Sequence, residues 1–248
     1  MSYSDRRQLF HKAASAALLV FIGITSVFFF SLALPLRLIT APFDRRRVIT
    51  NLFSAFWASV YTWCMPAWSI RIKGREKLCL DRNYVLVSNH QSQLDILVLY
   101  RLLFPYRWVS KAAVFNLPFI GWNMFLNGDI RLKRGDKESI AAMMQRCEEL
   151  LCQNISIFFF PEGTRSRDGK VGPFKPGAFI LAKNTGTPIQ PIVINGTRDA
   201  LPKHTIIIGS FRQMEVKVLD EIPYERFADL TVEETAEMVR GKIMAHVR

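Results

Sequence analysis

Two long apolar runs open the chain, and shorter ones separated by helical stretches follow. Ala13–Leu36 carries no charge and, at 1.5 Å per helical residue, can cross a hydrocarbon core of about 30 Å. The second uncharged run, Val48–Ile70, mixes Asn51, Ser54, Ser59 and Thr62 with Phe53, Phe56, Trp57, Tyr61, Trp63 and Trp68, a composition suited to the membrane–water interface. From Arg71 onward the apolar runs shorten. Strands are predicted at Ile70–Lys73, Tyr84–Ser88, Ser156–Phe160, Ile189–Ile194, Ile206–Gly209 and Glu215–Leu219, with the fully apolar Phe158–Phe160 central. Helical spacing predicts Glu138–Cys152, with Ile140, Met144, Cys147 and Leu151 on one face, and Thr231-Val232-Glu233-Glu234 reads as a capping box opening a last helix. The alternation predicts an α/β domain over residues 71–248, preceded over residues 1–70 by a two-helix hairpin that anchors it to a membrane.

Charge sharpens that picture. The net charge is +12, and residues 1–77 hold 11 basic and 3 acidic side chains, so the excess surrounds the apolar runs. Such placement suits anionic lipid head groups, worth roughly 1 kcal/mol per juxtamembrane Lys or Arg. It gives no support to a nucleic-acid partner, because the aromatic residues lie in apolar runs and not on a basic stripe. Arg37 and the Arg45-Arg46-Arg47 cluster flank the first run, which leaves the positive-inside rule undecided. A shallow hairpin in one leaflet keeps every basic cluster on the cytoplasmic side; a two-span hairpin puts the triple arginine outside. Ala33-Leu34-Pro35 is a poor cleavage site for a signal peptide. Cys64, Cys79, Cys147 and Cys152 form no C-x-x-C pair and read as buried or lipid-facing thiols.

Chemistry concentrates in two turns. Val87-Ser88-Asn89-His90-Gln91-Ser92-Gln93-Leu94-Asp95 carries an apolar strand into a polar junction. With Ser92 as N-cap, Asp95 falls in the first helical turn, facing back toward the strand end. There its carboxylate can hold an imidazole through Nδ1–H and leave Nε2 free as a base. Further on, Phe158-Phe159-Phe160-Pro161-Glu162-Gly163-Thr164-Arg165-Ser166 ends a buried strand in a turn. In that turn Arg165 is a natural phosphate fork, Gly163 permits close backbone approach, Thr164 adds a hydroxyl, and Glu162 can order Arg165 or bind a substrate hydroxyl. The bland alternatives are a helix-capping Asp95 beside a surface histidine, and a solvated Glu–Arg pair.

N-H-x-x-x-x-D followed by F-P-E-G-T-R-S resembles the glycerolipid acyltransferase family, most closely its bacterial 1-acylglycerol-3-phosphate members. Lys111-Ala112-Ala113-Val114-Phe115-Asn116-Leu117-Pro118-Phe119-Ile120-Gly121, Gly128–Arg134 and Pro191-Ile192-Val193 look like further blocks of that family. Ala113, where many relatives have glutamate, and Arg131, where an apolar residue is usual, depart from its pattern and loosen the acceptor assignment. The resemblance implies a central mixed sheet flanked by helices, with His90 as general base and Asp95 its partner. Glu162, Gly163, Thr164 and Arg165 would form the acceptor site, supplemented by the charges of Arg134 and Lys111. It implies transfer from acyl-CoA or acyl-carrier protein to the sn-2 hydroxyl of lysophosphatidic acid at the cytoplasmic face of the inner membrane, with no metal and no bound cofactor. Backbone amides after Asn89, or Lys111, would face the developing oxyanion. Glycerol 3-phosphate, a lyso-ornithine lipid or a glycolipid are other acceptors, and a non-enzymatic membrane-binding module is the reading of another class.

Overall fold

The structure, a computed structural model, describes residues 3–166, 168–201 and 211–248. Two helices, α1 (Tyr3–Thr40) and α2 (Val48–Trp63), lead into a seven-stranded sheet. Its strands are β1 (Trp68–Lys73), β2 (Val85–Ser88), β3 (Arg107–Lys111), β4 (Ile130–Leu132), β5 (Ile157–Phe159), β6 (Ile189–Asn195) and β7 (Arg212–Val218). The intervening helices are α3 (Leu94–Tyr100), α4 (Ile120–Asn127), α5 (Lys137–Cys152), α6 (Gly177–Thr185), α7 (Thr197–Ala200) and α8 (Val232–Met244). The strand order is β1-β7-β6-β2-β5-β3-β4. All neighbours are parallel except β6 and β7, so the sheet is mixed, as expected. The predicted strand Ile206–Gly209 lies outside the described residues.

Strict alternation along the central strands feeds two cores. Val85 and Val87 of β2, with Ile157 and Phe159 of β5, point to the face covered by α5, α6 and α8. Leu86 and Phe158 point to the face covered by α2 and α3. Both faces being buried explains why these strands read as unbroken apolar runs. α5 begins at Asp136, whose carboxylate caps the Ser139 amide. Its inward face is Met143, Cys147, Leu150 and Leu151, a rotation from the predicted stripe that leaves Ile140 exposed. α8 opens with the expected capping box between Thr231 and Glu234. Of the four cysteines only Cys147 is buried; Cys64, Cys79 and Cys152 are exposed, which corrects the expectation for Cys79 and Cys152 because both sit at element ends facing outward.

The two N-terminal helices are antiparallel and aromatic at their contact, where Phe29 stacks on Trp57 at 5.5 Å. α2 is amphipathic in an inverted sense. Its polar residues Thr50, Asn51, Ser54, Ser59 and Thr62 face the domain, while Ile49, Phe56 and Trp63 are exposed. Most of these groups have partners, the Thr50 hydroxyl having none among the described residues: Asn51 Nδ2 donates to the Tyr106 carbonyl at 2.7 Å and its Oδ1 accepts the Tyr106 N–H. Outward apolar residues continue on α1 (Ile24, Phe28, Leu38, Ile39) and α4 (Trp122, Phe125). Leu19–Thr40 is one stretch long and apolar enough to cross a membrane, with a mean hydropathy of 2.3. The connection between α1 and α2 is docked on the domain: Arg46 donates to the Asn154 carbonyl, and Arg47 to those of Phe125 and Leu126 at the end of α4.

Beneath that connection lies a buried carboxyl. Asp129 accepts the Trp108 N–H at 2.9 Å through Oδ1, and its Oδ2 has no partner among the described residues. Burial pushes its pKa up to about 7 against the opposing pull of the Trp108 N–H, Arg107 and Arg47. Between the ordinary carboxyl range and about 7, the folded protein therefore keeps a proton that the unfolded chain has released, so stability falls as pH rises through that window and levels off above it. Asp129→Asn retains the acceptor for Trp108 and cannot ionise. Thermal unfolding should place its midpoint above the parent's at pH 8 and close to it near pH 4. A lower midpoint at pH 8 would mean that attraction to the two arginines outweighs burial.

Candidate active site

Four parallel strands, β2, β5, β3 and β4, release their chains at one edge of the sheet, the position where open α/β sheets build ligand sites. At the end of β2, Asn89 closes the ladder with its side chain: Nδ2 donates to the Ile194 carbonyl at 2.8 Å and Oδ1 accepts the Ile194 N–H at 2.9 Å. The amide thus imitates one more peptide unit toward β6 and frees the main chain to turn. His90 follows immediately, and Asp95 sits fully buried in the first turn of α3. His90 Nδ1 lies 2.8 Å from Asp95 Oδ2. The same oxygen accepts the N–H groups of Gln91 at 2.6 Å and Ser92 at 2.9 Å, so it can only be an acceptor toward the ring. That fixes Nδ1 as the protonated nitrogen and leaves Nε2 bare. Ser92 does not cap in the simple form expected: its hydroxyl donates to the Leu201 carbonyl and accepts the Leu94 N–H, while Asp95 reaches back to the Ser92 amide. The ring is held flat by Phe160, stacked on it at 3.9 Å and 15°, and Phe160 is in turn stacked on Trp108.

The turn after β5 grips the same residue by its backbone. Glu162 Oε1 accepts the His90 N–H at 2.8 Å, Oε2 accepts the Gly172 N–H at 3.0 Å, and Ser166 N–H donates to the His90 carbonyl at 2.8 Å. Glu162 thus clamps two loops, each oxygen accepting a main-chain N–H, in addition to any part it plays toward Arg165 or a substrate hydroxyl. Burial pushes its carboxyl above the usual range, opposed by those two N–H groups. The amides of His90, Gln91 and Ser92 are all directed at carboxylates, so the turn after Asn89 offers no free donor from these three for an oxyanion.

A cavity of about 960 Å³ opens between α2, α3, α4, α5 and the strand ends, at the top of the range for ligand pockets. His90 stands in its wall with Gly163, Arg165, Lys111 and Arg134. Thr164 is exposed and does not line it, because Gly163, at φ 69°, swings the chain so that the next side chain points away. A Cβ at Gly163 would fall 2.9 Å from Lys175 Nζ. Lys175 itself lines the cavity; no reading of the sequence singled it out, although its setting in Pro173-Phe174-Lys175-Pro176-Gly177, a stiff lead into α6, is the signal that could have. The rest of the wall is largely apolar and includes Trp57, Ala58 and Tyr61 of α2, Leu97 of α3 and Met124 of α4. Among the described residues, no three His, Cys, Asp or Glu side chains are placed to ligate a metal.

A sequence profile of the Acyltransferase family matches residues 69–195, half of the chain and the whole stretch from β1 to the end of β6. The chain belongs to the acyltransferase family. A chloroplastic 1-acyl-sn-glycerol-3-phosphate acyltransferase of Brassica napus is 42% identical over 200 residues, covering 79% of this chain and 57% of the relative. The 1-acyl-sn-glycerol-3-phosphate acyltransferase of Saccharomyces cerevisiae is 34% identical, covering 71% and 58%. This acyltransferase chain thus spans little more than half the length of such curated relatives, and those relatives are plant and fungal, so a bacterial origin is not shown. The crystal structure of the 1-acyl-sn-glycerophosphate acyltransferase of Thermotoga maritima shares the fold, with a TM-score of 0.75 over 95% of both chains at 21% identity.

Proposed function

We propose that this acyltransferase esterifies the free sn-2 hydroxyl of lysophosphatidic acid with an acyl group from a thioester, acyl-CoA or acyl-carrier protein. The observation that carries the reading is the Asp95-oriented His90 in the wall of an apolar cavity whose charged residues Arg165, Lys111, Arg134 and Lys175 are all cationic. A lysophospholipid has that profile: an apolar chain, one hydroxyl and one anionic phosphate. The cations favour it over a neutral glycolipid, and the apolar wall favours it over glycerol 3-phosphate. The relatives' names agree with it.

In the reaction, Nε2 of His90 takes the hydroxyl proton while the oxygen attacks the thioester carbonyl carbon. The tetrahedral intermediate collapses with cleavage of the C–S bond, and the imidazolium returns the proton to the departing thiolate. Products are phosphatidic acid and free thiol, so every atom is accounted for without an acyl-enzyme. A thioester is already activated, and alignment plus one base can carry such a step.

Residues 1–70 act as a monotopic anchor in this reading, extended by the apolar surface of α4. The contacts of Arg46 and Arg47 with the catalytic domain favour a hairpin in one leaflet over a two-span form, which would carry the triple arginine across the membrane. That geometry fits the cytoplasmic face of a cell's inner membrane, and equally the corresponding face of an organelle membrane.

The test is direct: purified protein is given lysophosphatidic acid with acyl-CoA or acyl-carrier protein, and products are identified by mass. Arg165→Ala should raise KM for lysophosphatidic acid about tenfold or more, the loss of one charge-assisted contact, with a smaller change in kcat. Absence of phosphatidic acid with every donor would refute the reading.

A further inference from the structure

The large cavity accommodates apolar chains, but a phosphorylated thioester carrier also has a strongly anionic, water-loving end. A second cavity of about 350 Å³ lies beside the first, lined by Arg71, Arg198 and Arg248 together with Gln91, Gly169 and Asn195. Residues of one wall adjoin residues of the other. Gln91 follows His90 directly, Gly169 lies three residues beyond Ser166, and the Ser166 N–H is bonded to the His90 carbonyl. The two cavities therefore adjoin at the segment that holds the base. Their characters differ: the first is walled by aromatic and aliphatic side chains near the exposed apolar surface of α2 and α4, the second by guanidinium and amide groups.

Among the described residues the guanidinium groups of Arg71 and Arg248 are in no close ion pair; Arg248 acts on Glu215 through space, and Arg71 stands opposite Glu215 in the sheet register. Arg198 donates to the Asp168 carbonyl, beside Gly169 in the cavity wall. Two carboxylates share the wall, Asp199 and Glu215. Glu215 is paired with Lys73 at 2.6 Å, and Lys73 with Arg248 holds its carboxyl below the usual range, so three guanidinium groups share the wall with two carboxylates, one of which already has an ion pair. Guanidinium forks matched to tetrahedral oxyanions are the usual solution for phosphate.

Resting on the function proposed above, we propose that this second cavity seats the phosphates of the thioester carrier's phosphopantetheine arm, while the acyl chain and the lysophospholipid occupy the first. The shared chemistry is a phosphate ester at the far end of a pantetheine thioester. It is supplied either by the diphosphate of CoA or by the phosphodiester of a carrier protein.

The experiment compares the parent with Arg71→Gln/Arg248→Gln, a pair whose guanidinium groups hold no element together. Three hexadecanoyl donors are used: the CoA thioester, the carrier-protein thioester and the N-acetylcysteamine thioester, which has no phosphate. KM for a phosphate-bearing donor should rise about tenfold, while KM for lysophosphatidic acid and for the N-acetylcysteamine thioester stays unchanged. A rise with CoA alone identifies its diphosphate as the occupant, and a rise with the carrier protein alone identifies the phosphodiester. Unchanged KM for both, or an equal rise for the phosphate-free thioester, overturns the inference. The thermal midpoint checks folding, and Arg248→Gln alone replaces the pair if the double variant is unstable. If the parent acylates no acceptor, the proposed function fails by itself. Calorimetric binding of CoA then decides this inference: about tenfold weaker binding in the variant supports it and equal binding overturns it.

Discussion

Alanine at position 90 is expected to lower acyl transfer by about 10²–10⁴-fold, the usual contribution of a positioned general base, while leaving membrane association and folding intact. The ring is only partly buried and makes one side-chain hydrogen bond, to Asp95, so its removal costs little structure. Asp95→Asn should be nearly as damaging for a different reason. Asp95 Oδ2 accepts from His90 Nδ1 and from the amides of Gln91 and Ser92. An asparagine that keeps its oxygen on the two main-chain donors keeps it on Nδ1 as well, because one oxygen accepts all three, and what it loses is the negative charge. The imidazolium that forms as Nε2 takes the proton then has no carboxylate to stabilise it, and the base is weakened although the residue and its tautomer remain. Turnover with lysophosphatidic acid and hexadecanoyl-CoA measures both variants. A His90→Ala enzyme with near-parental kcat would remove the base from the mechanism, and with it the reading of the cavity.

How much of this was legible beforehand depended on whether local pattern or tertiary context decided. The apolar runs 85–88, 157–159 and 189–195 announced themselves because they are buried on both faces. β3 did not, since its first residue is the buried Arg107, satisfied by the carbonyls of Tyr106 and Arg46, and an arginine at the head of Arg107-Trp108-Val109-Ser110-Lys111 hides a strand with neighbours on both sides. β4 was too short at three residues to carry a period. The pairing of His90 with Asp95 could be argued from a cap and a turn. The part played by Glu162 could not, because its partners, the amides of His90 and Gly172, are main-chain groups and leave no mark on side-chain pattern. Inverted amphipathicity in α2 was half visible: the polar residues were there to be counted, but only their partners, Tyr106, Asn123 and Asn127, show that they face inward.

Glu162 supplies the second large effect. If it were an acceptor ligand, Glu162→Ala would chiefly raise KM for lysophosphatidic acid. As a clamp it should chiefly lower kcat, because the loop after β5 loses its hold on the His90 amide and two partly buried N–H groups lose their acceptor, at about 1 kcal/mol each. The expected fall in kcat is about 10²-fold, since misplacement of reacting groups by roughly 1 Å costs that much, with KM for the lysophospholipid changed by less than about threefold. Glu162→Gln keeps one oxygen acceptor and should recover part of the loss, whereas a residue acting through its charge on the substrate would gain nothing from glutamine. The split between kcat and KM, together with that partial rescue, separates the two roles. A large rise in KM with kcat preserved would return Glu162 to the acceptor site and leave the position of His90 to be explained by Ser166 and Phe160 alone.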